Sequence, residues 1–479
     1  MPESLKNKTV KGTIWSMVER LSVQGVSFVV MVIMARILTP TDYGLVGMLT
    51  IFIAISQSLI DSGFSQALIR KQNRSQVDCS TVFYFNIVVG VVIYILLYIC
   101  APLIARFYEE PILSSITRLI SLSVVINSFV VVQRALLTEC LDFKTQAKAS
   151  LSASVISGVV GILMAKYGFG VWSIVVYQLI NLSVNVGLLW ILSRWRPSLQ
   201  FSWPSFIEMF GFGSKLAVSG IIDTIYKNLY LIVIGKIFKA ADLGYYTRAQ
   251  QFADFPSSNF TGIIQRVTFP VLCSIQDDDE RLCGVYRRFL KLSAFVIFPL
   301  MMGLVAVAHP LVVLLLKEQW DFTAVLLQIL CFSMMWYPIH SINLNLLQVK
   351  GRSDLFLKLE IYKKLIGVGI LCVTIPMGLI AMCIGSVISS VIALVINTYY
   401  TGRLIGLGFI KQMKDLFPSI AYSFSMLAVV YCVTEFFNDN LQKVIVGVVV
   451  GILYYIFISI ITHSTELKDL LSLIHLKVK

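Results

Sequence analysis

The sequence predicts an all-α, polytopic membrane protein: about fourteen transmembrane helices in two pseudo-symmetric six-helix lobes, followed by two C-terminal helices. Three observations carry this. Apolar runs recur from end to end, charge is scarce, and landmarks recur at an offset near 200 residues. Of 479 residues, 57% are hydrophobic and 14% charged, with mean hydropathy +0.82. A soluble chain carries roughly a quarter charged residues; a chain buried in hydrocarbon cannot. No ten-residue alternation suggests a membrane barrel.

The apolar segments fall at 12–35, 43–62, 82–105, 114–136, 148–166, 170–193, 209–234, 247–270, 289–308, 323–347, 358–377, 379–401, 416–435 and 443–462. Each is near the ~20 residues that span a bilayer as helix. The basic start (Lys6, Lys8, Lys11) resembles a signal n-region. The hydrophobic stretch behind it is long and holds Glu19 and Arg20, so it reads as a retained first helix. Connections are short. The longest, Cys273–Arg288, carries the acidic run Asp277, Asp278, Asp279 and Glu280, which reads as a solvated loop. The tail from Thr465 places Leu467, Leu470, Leu471, Ile474 and Val478 on one apolar stripe bordered by lysines, the pattern of an interfacial helix. The nine cysteines show no CxxC spacing and mostly sit in apolar segments. They read as small buried hydrophobes, and neither a metal centre nor a disulfide framework is expected.

Loop charge sets the orientation. With the N-terminus inside, and residues toward span ends counted with the adjoining loops, inner segments hold 24 of the 39 Lys and Arg residues and outer loops nine, leaving six. Both termini are therefore expected in the cytoplasm. The net charge of +13 is largely this asymmetry; it suits an anionic lipid surface and calls for no nucleic acid.

Arg36-Ile37-Leu38-Thr39-Pro40-Thr41-Asp42-Tyr43-Gly44 follows segment one, and Lys236-Ile237-Phe238-Lys239-Ala240-Ala241-Asp242-Leu243-Gly244 follows segment seven. Gly12-Thr13 resembles Gly213-Ser214, and Gly63 to Gln66 resembles Gly262 to Gln265. Three matches in one order indicate duplication. Six segments per copy is an even number, so the copies are parallel and form two lobes about a central site. The resulting organisation is 1–200 (N-lobe), 201–410 (C-lobe), 411–464 (the last two segments) and 465–479 (a cytoplasmic amphipathic tail).

The six basic residues left over by that tally, all inside spans, are Arg20, Lys215, Lys227, Arg266, Lys363 and Lys364. Acidic residues in or near spans include Glu19, Asp61, Asp223, Asp254 and Glu360. Such groups pair or line a wet cavity; they rarely face lipid. Lys215, Asp223 and Lys227 lie at about 0°, 80° and 120° around their helix, on one polar flank. The cations most suited to a substrate cavity are Arg20, Lys215, Lys227, Arg266 and Lys363. Arg and Lys bind phosphate directly, so the cargo is expected to be anionic. Glu19, Asp61, Asp223 and Asp254 are candidates for coupling to H⁺ or Na⁺, with no other cofactor expected. The structural alternative for each is an ion pair between helices. His340 reads as a hydrogen-bonded packing residue.

The Ala35–Gly44 stretch, after a helix entered through Lys11-Gly12-Thr13-Ile14-Trp15-Ser16, resembles the Wzx-type flippases, polysaccharide exporters of the multidrug/oligosaccharidyl-lipid/polysaccharide superfamily. The likeness is to the colanic-acid and teichuronic-acid exporter branch. Asp61 to Ile69 resembles that family's end of helix two. The resemblance implies a flippase of the bacterial inner membrane. Its cargo would be an undecaprenyl-pyrophosphate-linked oligosaccharide, moved outward by alternating access without covalent chemistry, with the polymerase and glycosyltransferases of the same polysaccharide as possible partners. The Arg36 motif itself lies outside the span and reads as a structural turn. A lipid II flippase or multidrug exporter of the same superfamily is the nearest alternative. A membrane glycosyltransferase or polymerase would need a sizeable outer loop, which the chain lacks.

Overall fold

A computed structural model describes Trp15 and residues 22–61, 67–68, 71 and 74–475, apart from the side chains of Asp61, Phe212, Lys215, Leu471 and residues 473–475. Two compact units divide the chain, Met1–Gly244 and Tyr245–Lys479. The first therefore takes in the opening of the second sequence repeat.

The first unit contains α1 (Ser22–Ala35), α2 (Pro40–Asp61), α3 (Gln76–Tyr108), α4 (Ile112–Ile120), α5 (Leu122–Ser128), α6 (Val131–Glu139), α7 (Phe143–Lys166), α8 (Val171–Leu192), α9 (Trp203–Lys227) and α10 (Leu229–Ile237). The unit boundary falls within α11 (Ala240–Cys273). The second unit continues with α12 (Asp279–Ala306), α13 (Ala308–Leu316), α14 (Asp321–Met334), α15 (Tyr337–Val349), α16 (Ser353–Thr374), α17 (Leu379–Ile405), α18 (Phe409–Thr434), α19 (Asn440–Ile461) and α20 (Thr465–His475). No strand occurs among the described residues.

The described part of each predicted segment falls on a helix or a helix pair; residues 12–14 and 16–21 of the first lie outside the described residues. Among the described residues, nine helical stretches are long and apolar enough to cross a membrane, or up to eleven if each bent pair is one span. The fourth segment is bent by 43° between Ile112–Ser128 and Val131–Glu139. There the Ser128 hydroxyl donates to the Val125 carbonyl at 2.6 Å and competes with the helical ladder. The seventh is bent by 46° between Trp203–Gly211 and Leu216–Lys227, where Gly211 and Gly213 ease the turn. It breaks again at Asn228, whose amide donates to the Thr224 carbonyl at 2.8 Å.

Helix pairs close on small residues, as expected where lipid removes the usual hydrophobic drive between helices. A Cβ on Gly158 of α7 would stand 2.5 Å from Val30 of α1; one on Gly447 of α19 would stand 2.7 Å from Val307. Several polar side chains inside the units are bonded to one another. In the first, Arg134 donates to Asn185 (3.1 Å) and Asn127 (3.4 Å), and Asn185 donates to Ser150 (3.2 Å). In the second, the Asn343 and Gln412 amides bond reciprocally at 3.2 and 3.1 Å, and Thr401 donates to Asn343 at 2.9 Å. His340 bonds Ser390 (3.1 Å) and Asn397 (3.2 Å), the packing role read from sequence.

One expectation changes. The acidic run does not lie in a long loop: α11 continues to Cys273 and α12 begins at Asp279. Asp278 caps α12, accepting the Arg281 amide at 3.0 Å, while Asp279 and Glu280 occupy its first turn. Carboxylates there satisfy free amides and oppose the helix dipole. The tail forms α20 as expected; residues beyond His475 lie outside those described.

Candidate functional site

The polar positions lie on long helices that also expose apolar side chains. On α9 of the first unit, Lys227 pairs with Asp223 at 2.7 Å, with side chains 70% and 46% exposed. Val218, Ile222 and Ile225 of the same helix are exposed beside them. An exposed ion pair amid exposed aliphatics suits a helix bordered by lipid on one side and water on the other. Lys215 lies on α9 and Asp61 ends α2, both with undescribed side chains. Glu19 and Arg20 lie outside the described residues.

In the second unit, Gln251, Asp254 and Gln265 are exposed on one face of α11, with Arg266 exposed at its border. Asp254 and Arg266 are twelve residues apart, roughly 18 Å along the axis. On α16, Lys363 bonds Glu360 at 2.5 Å across one turn, the two side chains 15% and 30% exposed. The structure therefore joins Asp223 with Lys227 and Glu360 with Lys363.

Other charged contacts escaped the sequence reading because their partners are distant in the chain. Lys71 lies between Asp78 (3.2 Å) and Glu208 (2.9 Å), and its bond to Glu208 holds its ammonium above the usual range. Arg74 pairs with Glu139. Arg287 grips Asp415 with two bonds of 2.7 and 2.6 Å. Its neighbour Arg288 grips Asp469 of α20 with bonds of 2.8 and 2.7 Å. Lys350 bonds Asp279 at 2.6 Å. Several basic residues tallied as loop charge are thus matched by acids. Arg134, also counted there, belongs to the polar chain inside the first unit.

The Arg36–Gly44 motif is a helix start. Asp42 accepts the Thr39 amide at 2.9 Å and the Thr39 hydroxyl at 2.8 Å. In the second copy, Asp242 accepts the Lys239 amide at 3.2 Å. The repeated aspartate therefore does the same capping work twice. Nearby, Lys236 bonds Glu109 at 2.7 Å, which holds the Glu109 carboxyl below its usual range.

The protein-family model described as polysaccharide biosynthesis protein matches residues 33–325. The lipopolysaccharide biosynthesis protein WzxC of Escherichia coli (strain K12) is 27% identical over 397 residues, 82% of this chain and 80% of that protein. The teichuronic acid biosynthesis protein TuaB of Bacillus subtilis (strain 168) is 24% identical over 476 residues, 98% of each. Among solved structures, the lipid II flippase MurJ in an inward closed conformation superposes with TM-score 0.78 at 16% identity, covering 96% of this chain and 100% of that one. At that identity the likeness is one of fold.

Proposed function

The chain belongs to the polysaccharide biosynthesis protein family, and we propose that it is the flippase that moves an undecaprenyl-pyrophosphate-linked oligosaccharide from the cytoplasmic to the outer leaflet of the bacterial inner membrane. The observation that carries this reading is exposed charge beside exposed apolar side chains on long helices: Lys227 with Asp223 on α9, and Asp254 and Arg266 on α11. Lipid does not tolerate such groups, and a water-filled path for a charged headgroup does. The names of its relatives and a fold shared with a lipid flippase support the same cargo class.

Under this reading residues 1–200 and 201–410 are lobes that expose a central cavity alternately. Residues 411–464 add two helices and 465–479 a tail, with both termini in the cytoplasm. Arg20, Lys215, Lys227, Arg266 and Lys363 supply cations for the pyrophosphate. Glu19, Asp61, Asp223 and Asp254 couple movement to H⁺ or Na⁺. The product is a lipid-linked unit on the outer leaflet, ready for a polymerase; glycosyltransferases supply the substrate inside.

The test is a deletion strain lacking redundant flippases. Lipid-linked repeat units should accumulate on the inner leaflet and surface polysaccharide should fall. Normal surface polysaccharide would overturn the proposal. The fold shared with MurJ gives a second reading, lipid II, which predicts lysis on depletion instead. For coupling, transport in proteoliposomes should respond to an imposed proton or Na⁺ gradient; indifference to both would dismiss the carboxylates' role.

A further inference from the structure

The first turns of α2 and α11 begin 200 residues apart and lie against each other. A Cβ on Gly44 would fall on the Ala240 carbonyl oxygen, 2.5 Å from its carbon. A Cβ on Gly244 would fall on the Pro40 carbonyl oxygen, 2.7 Å from its carbon. Pro40 and Ala240 are equivalent in the two repeats, as are Gly44 and Gly244. The same contact is therefore made twice with roles exchanged, the mark of a local two-fold axis between the two motifs.

Around this axis, Gly235 fits within 3.0 to 3.1 Å of Met48 and Tyr108, measured from the Cβ it lacks. Lys236 bonds Glu109 at 2.7 Å and stands 5.4 Å from the centre of the Phe107 ring. Loop charge assigns this end of the molecule to the outer face. At Gly44 and Gly244 the contact is backbone against backbone. Glycine permits that approach, and each Cα–H···O contact is worth only about 0.5–1 kcal/mol. Such a seam closes tightly and parts at small cost.

We infer that the reciprocal Gly44–Ala240 and Gly244–Pro40 contact, braced by Glu109–Lys236, is the outer closure between the two repeats, and that it parts in each transport cycle. This rests on the two-lobe reading above. It assigns Gly44 and Gly244 as positioning residues that bind no cargo.

The experiment labels Lys236→Cys in intact cells with a membrane-impermeant maleimide. Adding Gly44→Ala or Gly244→Ala props the seam open, so labelling should quicken at least fivefold, and to a similar degree for both because the positions are equivalent. No acceleration in either, or in only one, overturns the inference. Labelling of Lys236→Cys only after permeabilisation overturns the outer assignment. A second measurement keeps both glycines: Glu109→Cys with Lys236→Cys, bridged by a short bis-methanethiosulfonate. Transport should fall at least tenfold and return on reduction, while each single variant treated alike retains it. Undiminished transport by the bridged protein overturns the inference. The labelling readout is independent of cargo, so an error in the cargo would leave it intact.

Discussion

Removing Arg287 should destabilise the second unit more than neutralising Asp415, although the two form one ion pair. The Asp415 side chain is 6% exposed and that of Arg287 is 47% exposed. Arg287→Met leaves a buried carboxylate facing only Lys291, 3.5 Å away. Orphaning a buried charge costs about 3–5 kcal/mol, and the remaining lysine reduces that to roughly 2–3 kcal/mol. Asp415→Asn instead keeps one acceptor oxygen and leaves a guanidinium that water can reach, so the loss is about 1 kcal/mol. The difference is near a tenfold change in the folded-to-unfolded ratio. Arg287→Met combined with Asp415→Leu should recover much of the loss, since neither charge is then stranded. SDS titration in mixed micelles measures this, with the thiols of Cys331 and Cys383, 1% and 0% exposed, reporting unfolding by their reaction with a dye. Equal losses, or a greater loss from Asp415→Asn, would refute the reasoning.

Gly447→Leu should lower stability by about 2 kcal/mol or more through overpacking, because even a Cβ there meets Val307 at 2.7 Å; an unchanged unfolding midpoint in the same titration would show that α19 can shift aside. His340→Ala should cost roughly 1–2 kcal/mol by leaving Asn397 and Ser390 short of a partner, while transport at equal protein level stays at wild type. Lys227→Ala and Arg266→Ala should each reduce export at least tenfold with little change in stability, because both side chains are exposed; wild-type export from both would remove them from the substrate path. Glu109 has a lowered native pKa, so its bridge contributes fully above the ordinary carboxylate pKa, about 4.3, and is lost as pH falls through the lowered value. The difference in outer-face labelling of Lys239→Cys between native Glu109 and Glu109→Gln should therefore be present at neutral pH and vanish in strong acid; a difference that persists in acid refutes the assignment.

Long apolar runs made the membrane-crossing helices legible, nine to eleven of them among the described residues, because a bilayer imposes a length and a composition on whatever crosses it. The Asp223–Lys227 and Glu360–Lys363 pairs were also within reach, since one helical turn joins them. Arg287 and Asp415 were not: they stand 128 residues apart in sequence and meet only through the packing of α12 on α18. The acidic run was read only in part: its four residues are exposed and Asp277 and Asp278 lie in the connection, but Asp279 and Glu280 open α12, because capping and loop carboxylates look alike until the neighbouring helix is placed. Likewise, the repeated Asp and Gly of Arg36–Gly44 and Lys236–Gly244 revealed a duplication. That the aspartates cap helices and the glycines meet carbonyls depends on three-dimensional placement.

The contact at Gly44 and Gly244 also constrains how the chain can evolve. When a core side chain grows, a smaller neighbour elsewhere can make room. Here the neighbour is a main-chain carbonyl, which no amino-acid replacement removes. A larger residue at either position can be rescued only by shifting a whole helix, through altered phase or connection length. The demand falls on both motifs at once, since each glycine meets a carbonyl of the other.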